Sequence, residues 1–520
     1  MSKRKAFFLA LAIATCSAAF SQQLDLLIRG GQVIDGSGSP AVSADVGLRG
    51  DRIVFIGDSA KRGVRAARTI NASGLVVAPG FIDPHAHVME DLSDATRKSN
   101  QAYLLQGVTT VITGNDGGGP IGIGAMLNKW TQQGIGTNAA LYIGQGTVRR
   151  EVMGMSDAAP TSEQLSRMKA LVERGVDEGA LGMSTGLYYA PGSYATTEEV
   201  IELAKAAAAR KGIYDSHLRD EDSYTIGLLG AVGEAIRIAR EAKIEVHISH
   251  IKALGPEVWG QSTKVIELIR QARAEGLRVT ADQYPYSASG SSVTASLVPR
   301  WAEVGGSAEL LKRIGDLFVR PRLIEEMAQN LKRRGGPDSL LILSGRDRSL
   351  VGKKLGAIAT ERKETPVEAA LEIIKGGGAG VASFNMQDSD IENFMRQDFV
   401  MTGSDGSEGH PRKYGTFPRK LRLYVREKKI VTLPFAIHAS SALTAQTLHL
   451  AGRGLLRAGY YADVIAFDPA LVADQSTYEH TDVLATGVKY VIVNGQIAVE
   501  AGKYTGALAG HALRPQPSAK

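Results

Sequence analysis

Between residues 78 and 450, short runs of apolar residues alternate with longer stretches in which apolar residues recur with helical periodicity. This alternation predicts repeated strand and helix units, and therefore a parallel β-sheet covered by helices. We assign residues 78–450 to this α/β unit. Its candidate strands end near His87, Gly114, Ile143, Met183, His217, His250, Tyr284 and Asp405. Eight strands can close a (β/α)8 barrel of the TIM type, although an open doubly wound sheet shows the same alternation.

The two ends of the chain have a different pattern, with short alternating runs in residues 24–77 and 462–499. Glycine-containing turns separate these runs, and Asn494-Gly495 is typical of a two-residue hairpin. We predict one small β-sandwich domain built from residues 22–77 and 451–520.

Residues 287–340 interrupt the alternation of the central unit. A helical and locally basic stretch, Leu310–Arg334, stands where a short loop would connect a strand to the next helix. Long insertions at this end of a barrel commonly form lids or walls of the substrate site. We therefore expect the insertion to contribute to the site.

The first 21 residues have the order of a secretory signal peptide: three basic residues, an apolar run and then small residues. Cleavage after Ser21 would remove Cys16, the only cysteine, and would leave an exported protein, periplasmic or secreted, without disulfides. Alternatively, Ile13–Cys16 resembles a bacterial lipobox, which would place a lipid anchor at Cys16. No later segment of the sequence reaches the roughly 18 uninterrupted apolar residues of a transmembrane helix.

The composition, 44% hydrophobic and 22% charged, is that of a soluble globular protein and excludes a fibrous or mostly disordered chain. Lysine and arginine total 60 against 54 acidic residues, which gives a net charge of +6. Three of these basic residues belong to the predicted signal peptide, so the excess falls to three. A small and dispersed excess argues against nucleic-acid binding, which needs a clustered basic face.

The segment Val76–His87 ends in two histidines at positions i and i+2 of a predicted strand. Such side chains point to the same face, so His85 and His87 can bind one metal ion. A pair of buried structural histidines is the alternative. The preceding Pro-Gly-Phe-Ile-Asp makes this segment resemble the first barrel strand of the amidohydrolase superfamily.

Later segments resemble one group within that superfamily, the D-aminoacylase (N-acyl-D-amino-acid deacylase) family. These collinear matches span nearly the whole mature chain and comprise Gly107–Gly117, Gly179–Tyr189, Ser216–Glu221, Ile248–Lys252, Asp282–Tyr286, Gly403–Gly406 and His410–Phe417. The resemblance implies a metal-dependent hydrolase with a (β/α)8 barrel and a β-sandwich.

Four of the ten histidines fall at the ends of predicted strands, namely His85, His87, His217 and His250. The resemblance implies that His217 and His250 hold a tightly bound zinc ion together with a ligand from the second strand. It implies a weaker neighbouring site at His85, His87 and Asp405. We expect His247, three residues before His250, to face the opposite side of its strand and to pack between barrel and helices.

The second-strand ligand of this family is usually a cysteine, and Asp116 occupies that position here. A carboxylate can bridge two metal ions but is a harder ligand than a thiolate, so it broadens the choice of divalent metal beyond zinc. The sequence leaves open whether one or two ions bind. Alternatively, Asp116 caps a loop and the site has lost a ligand.

The resemblance also suggests roles in proton transfer and substrate binding for six residues. Asp405 matches the residue that carries the proton as general base and then acid, although a Gly-Ser-Asp-Gly turn could hold it for structural reasons alone. Lys252, Tyr284 and Arg412 match residues that bind the substrate α-carboxylate, where an arginine fork suits the geometry. Tyr189 and Ser184 are expected to line the acyl or side-chain pocket, or to serve packing only.

Together these features predict hydrolysis of N-acyl amino acids, of D configuration, to a carboxylate and a free amino acid. The fold also hosts enzymes for other amides, such as dipeptides or cyclic imides. A further alternative is an exported binding protein that has lost turnover through the change at Asp116. We expect a small-molecule N-acyl amino acid to bind and no nucleic acid, and the sequence leaves the oligomeric state open.

Overall fold

The structure, a computed structural model, describes residues 23–515, so the predicted signal peptide and Cys16 lie outside it. The strands in this range are β1 (Gln23–Val33), β2 (Val42–Arg49), β3 (Arg52–Gly57), β4 (Arg65–Asn71), β5 (Val76–Pro79), β6 (Phe81–Asp83), β7 (Val108–Thr113), β8 (Asn138–Leu141), β9 (Ile143–Gly144), β10 (Gly182–Gly186), β11 (Ile213–His217), β12 (Val246–Ile248), β13 (Val279–Gln283), β14 (Ala288–Ser292), β15 (Leu340–Gly345), β16 (Ala379–Phe384), β17 (Val400–Thr402), β18 (Val464–Phe467), β19 (Val488–Val493), β20 (Gln496–Glu500) and β21 (Lys503–Tyr504).

The α-helices of the same range are α1 (Met89–Ser93), α2 (Gln101–Leu104), α3 (Ile123–Gln133), α4 (Gln145–Met153), α5 (Ser162–Asp177), α6 (Thr197–Ala209), α7 (Gly227–Ala242), α8 (Ser262–Ala274), α9 (Val293–Leu297), α10 (Ser307–Gly315), α11 (Arg320–Arg333), α12 (Leu355–Arg362), α13 (Pro366–Lys375), α14 (Asp388–Met395), α15 (Arg412–Arg419), α16 (Leu433–Ala439) and α17 (Ala442–Thr447). None of the helices within residues 23–515 is long and apolar enough to cross a membrane.

Parallel strands form the barrel. Hydrogen bonds connect β6, β7 and β8 in one part, and β9, β10, β11, β12, β13 and β17 in the other. Tyr142 separates β8 from β9, but its amide donates to the Thr113 carbonyl over 3.0 Å, so these two strands serve as one barrel position. The predicted α/β class with a (β/α)8 barrel is confirmed.

The first and last barrel strands meet just beyond their carboxyl ends. Ala86 forms a parallel bridge with Gly406. The Asp405 amide donates to the His85 carbonyl over 2.8 Å, and the His87 amide donates to the Gly406 carbonyl over 3.0 Å. These bonds hold the His-x-His segment and the segment of Asp405 together through their backbones.

The helices around the barrel form because their sequences are amphipathic, and α5 and α6 also have side-chain N-caps. In α5, the Thr161 hydroxyl accepts a hydrogen bond from the Gln164 amide, and the Gln164 side-chain oxygen accepts one from the Thr161 amide, which is a capping box. Helices α5, α6, α7 and α8 pack in sequence on one another and on the barrel. Their buried faces share one hydrophobic core with the barrel strands.

Nine strands from the two chain ends form one sheet in the described residues, in the order β21, β20, β19, β18, β5, β1, β2, β3, with β4 also paired to β1. Strand β1 pairs with β4 through its first half and with β5 through its end, with a register shift between Ile28 and Gly31. Hydrogen bonding thus makes the predicted sandwich one continuous sheet. Residues 510–513, which the sequence assigns to this domain, instead pair with Ala139 of barrel strand β8 and with Ile135 just before that strand.

The insertion is larger than the sequence predicts. It does not end near residue 340 but continues to Phe384, because β15 and β16 complete an antiparallel sheet with β14. Helices α9 to α13 cover this sheet and share a hydrophobic cluster separate from the barrel core. The sequence prediction stopped early because only the amphipathic helices stood out, while the pairing of β14 with β16 joins residues about 90 positions apart.

Candidate metal and substrate site

The six residues predicted as metal ligands lie together at the carboxyl end of the barrel. They lie at the ends of five strands, β6, β7, β11, β12 and β17, and are His85, His87, Asp116, His217, His250 and Asp405. The Asp116 carboxylate lies among the imidazoles: Oδ1 is 3.5 Å from His85 Nε2, 3.5 Å from His217 Nδ1 and 3.4 Å from His250 Nε2. Its Oδ2 is 3.5 Å from His87 Nε2.

The ligand atoms form two overlapping groups. One contains His85, Asp116, His250 and Asp405, and within it the ligand atoms lie within 4.8 Å of one another. The other contains His217, His250 and Glu221. The His217 and His250 rings are in contact, with Nδ1 and Nε2 2.8 Å apart. His250 is therefore common to both groups.

Glu221 is a site residue that the sequence reasoning did not single out. Its Oε1 lies 3.2 Å from His250 Nδ1 and accepts a hydrogen bond from Lys252 Nζ over 2.6 Å. Its Oε2 is 3.8 Å from His217 Nε2. The sequence did contain a signal for Glu221, because this residue ends the family-like segment that begins at Ser216.

Three of these residues adopt left-handed backbone conformations, with φ of 56° at Asp116, 36° at His250 and 46° at Asp405. Residues with a Cβ rarely adopt positive φ, and such residues cluster at functional sites. Each of the three stands just after a barrel strand. The left-handed conformation turns each of these side chains toward the barrel axis. At this point, beyond the strand, side chains no longer alternate between the two faces of the sheet.

The unpaired atoms and the charges of the site fit a divalent cation. His85 Nε2, His217 Nε2 and Asp116 Oδ1 are buried and have no hydrogen-bond partner in residues 23–515. Partial loss of hydration opposes the charged form of His87, whose side chain is 34% exposed, but Asp116 and Asp405 raise its pKa to about 9. The carboxylates thus favour positive charge at their centre, and the imidazole and carboxylate donors suit zinc and similar ions.

Asp405 is held as a carboxylate. Its Oδ1 is 2.9 Å from His87 Nε2, and its Oδ2 is 2.9 Å from Arg412 Nη2. Burial alone would raise its pKa, but the Arg412 guanidinium and the neighbouring imidazoles lower it below the usual range. Arg412 approaches closely because residue 290 is glycine: a Cβ there would lie 2.9 Å from Arg412 Nη2.

A cavity of about 330 Å³ opens onto these groups and is lined by Tyr189, Lys252 and Arg412. The Tyr189 ring lies 4.8 Å from the His217 ring, centroid to centroid. Arg412 has two nitrogens, Nε and Nη1, without a partner in the described residues. The Tyr284 ring centroid lies 4.7 Å from Arg412 Cζ and 5.8 Å from Lys252 Nζ. This edge of the cavity therefore carries two cations suited to an anionic group.

Comparison with known proteins leads to the same family as the sequence motifs. The amidohydrolase family matches residues 68–328 and 359–499. D-aminoacylase of Alcaligenes xylosoxydans xylosoxydans is 36% identical over 96% of this chain and 99% of its own length. N-acyl-D-glutamate deacylase from the same organism is 32% identical over 91% of this chain and 93% of its own length.

Solved structures agree. A crystal structure of D-aminoacylase superposes with a TM-score of 0.81 at 33% identity, covering 94% of this chain and all of the other. A zinc and phosphonate complex of N-acyl-D-glutamate deacylase from Bordetella bronchiseptica gives 0.81 at 30% identity over 95% of this chain and all of the other. The chain belongs to the D-aminoacylase family of amidohydrolases. It is thus a hydrolase, and the family assignment made from its motifs is confirmed.

Ser184 does not line the cavity of this amidohydrolase, so of its two roles expected from the sequence the structure shows packing. It is fully buried, and its hydroxyl donates to the Gly114 carbonyl over 2.6 Å and accepts from the Gly117 amide over 3.1 Å. These two backbone groups flank Asp116. Ser184 therefore orders the loop that carries the central carboxylate.

His247 also differs from expectation. Its Nε2 lies 2.8 Å from Asp282 Oδ1, which also accepts a hydrogen bond from the His250 amide over 2.9 Å. His247 thus lies inside the barrel, beneath the metal-site residues, rather than between barrel and helices. The prediction was wrong because strand alternation was extended through His250, where the backbone has already left the extended conformation.

Replacement of Ser184 by alanine tests its role in ordering the Asp116 loop. The Ser184→Ala enzyme should lose about 1 to 3 kcal/mol of unfolding free energy, because a buried carbonyl and amide lose their partner. It should also retain less metal after dialysis, as measured by elemental analysis. Ser289→Ala is the control, because Ser289 lines the cavity. If stability and metal content are unchanged in Ser184→Ala but the acyl preference is altered, Ser184 acts in the substrate pocket instead.

Proposed function

We propose that this amidohydrolase cleaves the amide bond of N-acyl-D-amino acids, using one or two divalent metal ions. The observation that carries the proposal is the convergence of four histidines and two aspartates beside a cavity edge with two cations. The relatives support the substrate class, since their names specify D-amino acids or N-acyl-D-glutamate and N-acyl-D-aspartate. One D-aminoacylase structure is described as having a binuclear metal center.

His217, His250, His85 and His87 would hold the metal, with Asp116 as the shared carboxylate and zinc as the first candidate. When bound, a divalent metal polarises the amide carbonyl and makes water a stronger nucleophile. Asp116 is poorly explained as a lost ligand, because its carboxylate lies among all four imidazoles. This argues against a binding protein without turnover.

The chain's own residues supply the proton transfer and the binding of the substrate. Asp405, ionised beside Arg412, accepts the proton that water loses on attack and returns it to the departing amine. Arg412 and Lys252 attract the α-carboxylate, which places the adjacent amide over the imidazole cluster. Tyr189 borders the same cavity and contacts the substrate arm nearest His217.

A substrate series tests the proposed activity. Enzyme loaded with metal is assayed for release of free amino acid from N-acetyl-D- and N-acetyl-L-amino acids, and from the matching α-carboxamides. The acids should react about 30- to 1000-fold faster in kcat/KM than the carboxamides, because only a carboxylate offers a charged acceptor to Arg412 Nε and Nη1, which have no partner in the described residues. Equal rates for acids and carboxamides, or activity on dipeptides or cyclic imides alone, would contradict the proposal.

Replacement of Asp405 by asparagine tests the proton transfer. Asparagine keeps the shape of the side chain but cannot carry the proton, so kcat should fall by about 10² to 10⁴ while KM changes far less. Glu408→Gln is the matched control, because Glu408 is nearby but exposed and outside the cavity lining. Near-normal kcat in Asp405→Asn would assign the proton transfer to another group.

We also propose that the protein is exported, on the basis of residues 1–21 alone. The mature chain should begin near Gln22 and lack Cys16, which intact mass measurement of the native protein reports. A mature N-terminus at an acylated Cys16 would show a lipoprotein instead.

A further inference from the structure

The cavity at the metal site contains a third buried cation, supplied by the insertion. Arg334, directly after α11, is only 2% exposed, and it lines the same cavity as His217 and Asp405. It enters from the side of Tyr188 and Tyr224, whereas Arg412 stands beside Asp405. The mechanism described above leaves Arg334 without a role.

Arg334 is held in place by neutral groups. Its Nε donates to the Tyr224 hydroxyl over 2.9 Å, and its Nη2 donates to the Tyr188 hydroxyl over 3.0 Å. The Tyr188 hydroxyl in turn donates to the Ala295 carbonyl over 2.7 Å. Arg334 Nη1 has no partner in residues 23–515. The guanidinium is therefore oriented but retains an unused donor group.

Other buried arginines of the described chain are neutralised by a carboxylate. Arg149 pairs with Glu199, Arg412 with Asp405 and Arg453 with Asp463. Arg334 has no carboxylate oxygen within 4.0 Å among the described residues. A buried charge without a counter-ion is costly, so its retention indicates that a ligand supplies the missing anion.

Asp222 is the internal carboxyl group that could neutralise the Arg334 guanidinium, but it is poorly placed to do so. Its two carboxyl oxygens are buried and have no hydrogen-bond partner in the described residues. Neither of these oxygens lies within 4.0 Å of an Arg334 nitrogen, so Asp222 forms no ion pair with Arg334.

We propose that Arg334 binds a second carboxylate of the substrate, carried by the amino-acid side chain or by the acyl group. This inference rests on the proposed function, in which Arg412 and Lys252 bind the α-carboxylate. A planar guanidinium fixed by two tyrosines suits bidentate binding of a carboxylate, and it discriminates against a neutral group of the same shape. The preferred substrates are then N-acyl derivatives of dicarboxylic amino acids, or N-acyl groups that end in a carboxylate.

Matched acid and amide substrates test this role. We would measure kcat/KM of the metal-loaded wild type for N-acetyl-D-glutamate, N-acetyl-D-glutamine, N-acetyl-D-leucine and N-succinyl-D-leucine. The glutamate derivative should exceed the glutamine derivative by about 10- to 100-fold if the side chain carries the second carboxylate. A similar excess of the succinyl over the acetyl derivative of leucine would place it in the acyl group.

Three variants complete the experiment. Arg334→Met should abolish the preferred acid's advantage and leave neutral substrates within about threefold, since only the charged contact is lost. Arg334→Lys should recover part of the acid's advantage. Arg333→Met removes a partly exposed neighbour that bonds to Asn330, and it should change neither the acid's advantage nor the rates on neutral substrates. If Arg334→Met does not fold, inhibition of the wild type by D-glutamate and D-glutamine, or by succinate and succinamate for the acyl arm, gives the same comparison.

The outcomes separate the two proposals. The wild type could hydrolyse neutral N-acyl-D-amino acids without preferring either acid substrate, or its preference could persist in Arg334→Met. Either result would overturn the role of Arg334 and leave the proposed function in place. Hydrolysis of none of the N-acyl-D-amino acids would overturn the proposed function and this inference with it.

Discussion

The Asp116 carboxylate is the group around which the site is organised, because one of its oxygens lies within 3.5 Å of His85, His217 and His250, and the other lies equally near His87. Four imidazoles from the ends of three strands could not pack this closely around an apolar side chain. Their lone pairs and protons need an anion, a cation or water at the centre. A carboxylate together with a divalent metal meets both requirements, since the metal can bind the imidazoles and the carboxylate oxygens at once.

The barrel supplies the precision that this arrangement requires. The backbone bonds between Asp405, His85, His87 and Gly406 join the first and last strands at the level of the site. The Ser184 hydroxyl joins the loop of Asp116 to strand β10. Left-handed conformations at Asp116, His250 and Asp405 cost free energy, and they persist because the closed sheet holds the flanking residues in place. The insertion then adds a wall whose buried Arg334 changes the charge of the cavity.

Much of this site could be predicted from sequence because it follows simple periodicities. The spacing of His85 and His87 places both on one face of a strand, and the ends of parallel strands share one edge of a barrel. The family motifs then supplied His217, His250 and Asp405. Glu221 lay inside such a motif but was not distinguished, because spacing alone does not show which acidic residue faces the imidazoles.

The errors have a physical origin in features that local sequence does not encode. His247 faces the barrel interior because alternation stops before His250, and a positive φ at a histidine has no sequence signal. A serine hydroxyl such as Ser184 can face a cavity or a neighbouring loop equally well. The extent of the insertion and the isolation of Arg334 depend on contacts between distant segments, since β14 pairs with β16 and Arg334 meets Tyr188 and Tyr224.

A crystal structure of the metal-loaded enzyme, with anomalous diffraction recorded at the absorption edge of the metal, tests the central role of Asp116 most directly. An anomalous peak should lie between Asp116 and the imidazoles, with the Asp116 carboxylate within bonding distance of the metal. Peaks only at other positions, or a metal bound by the histidines with Asp116 turned away, would contradict the central role of this carboxylate.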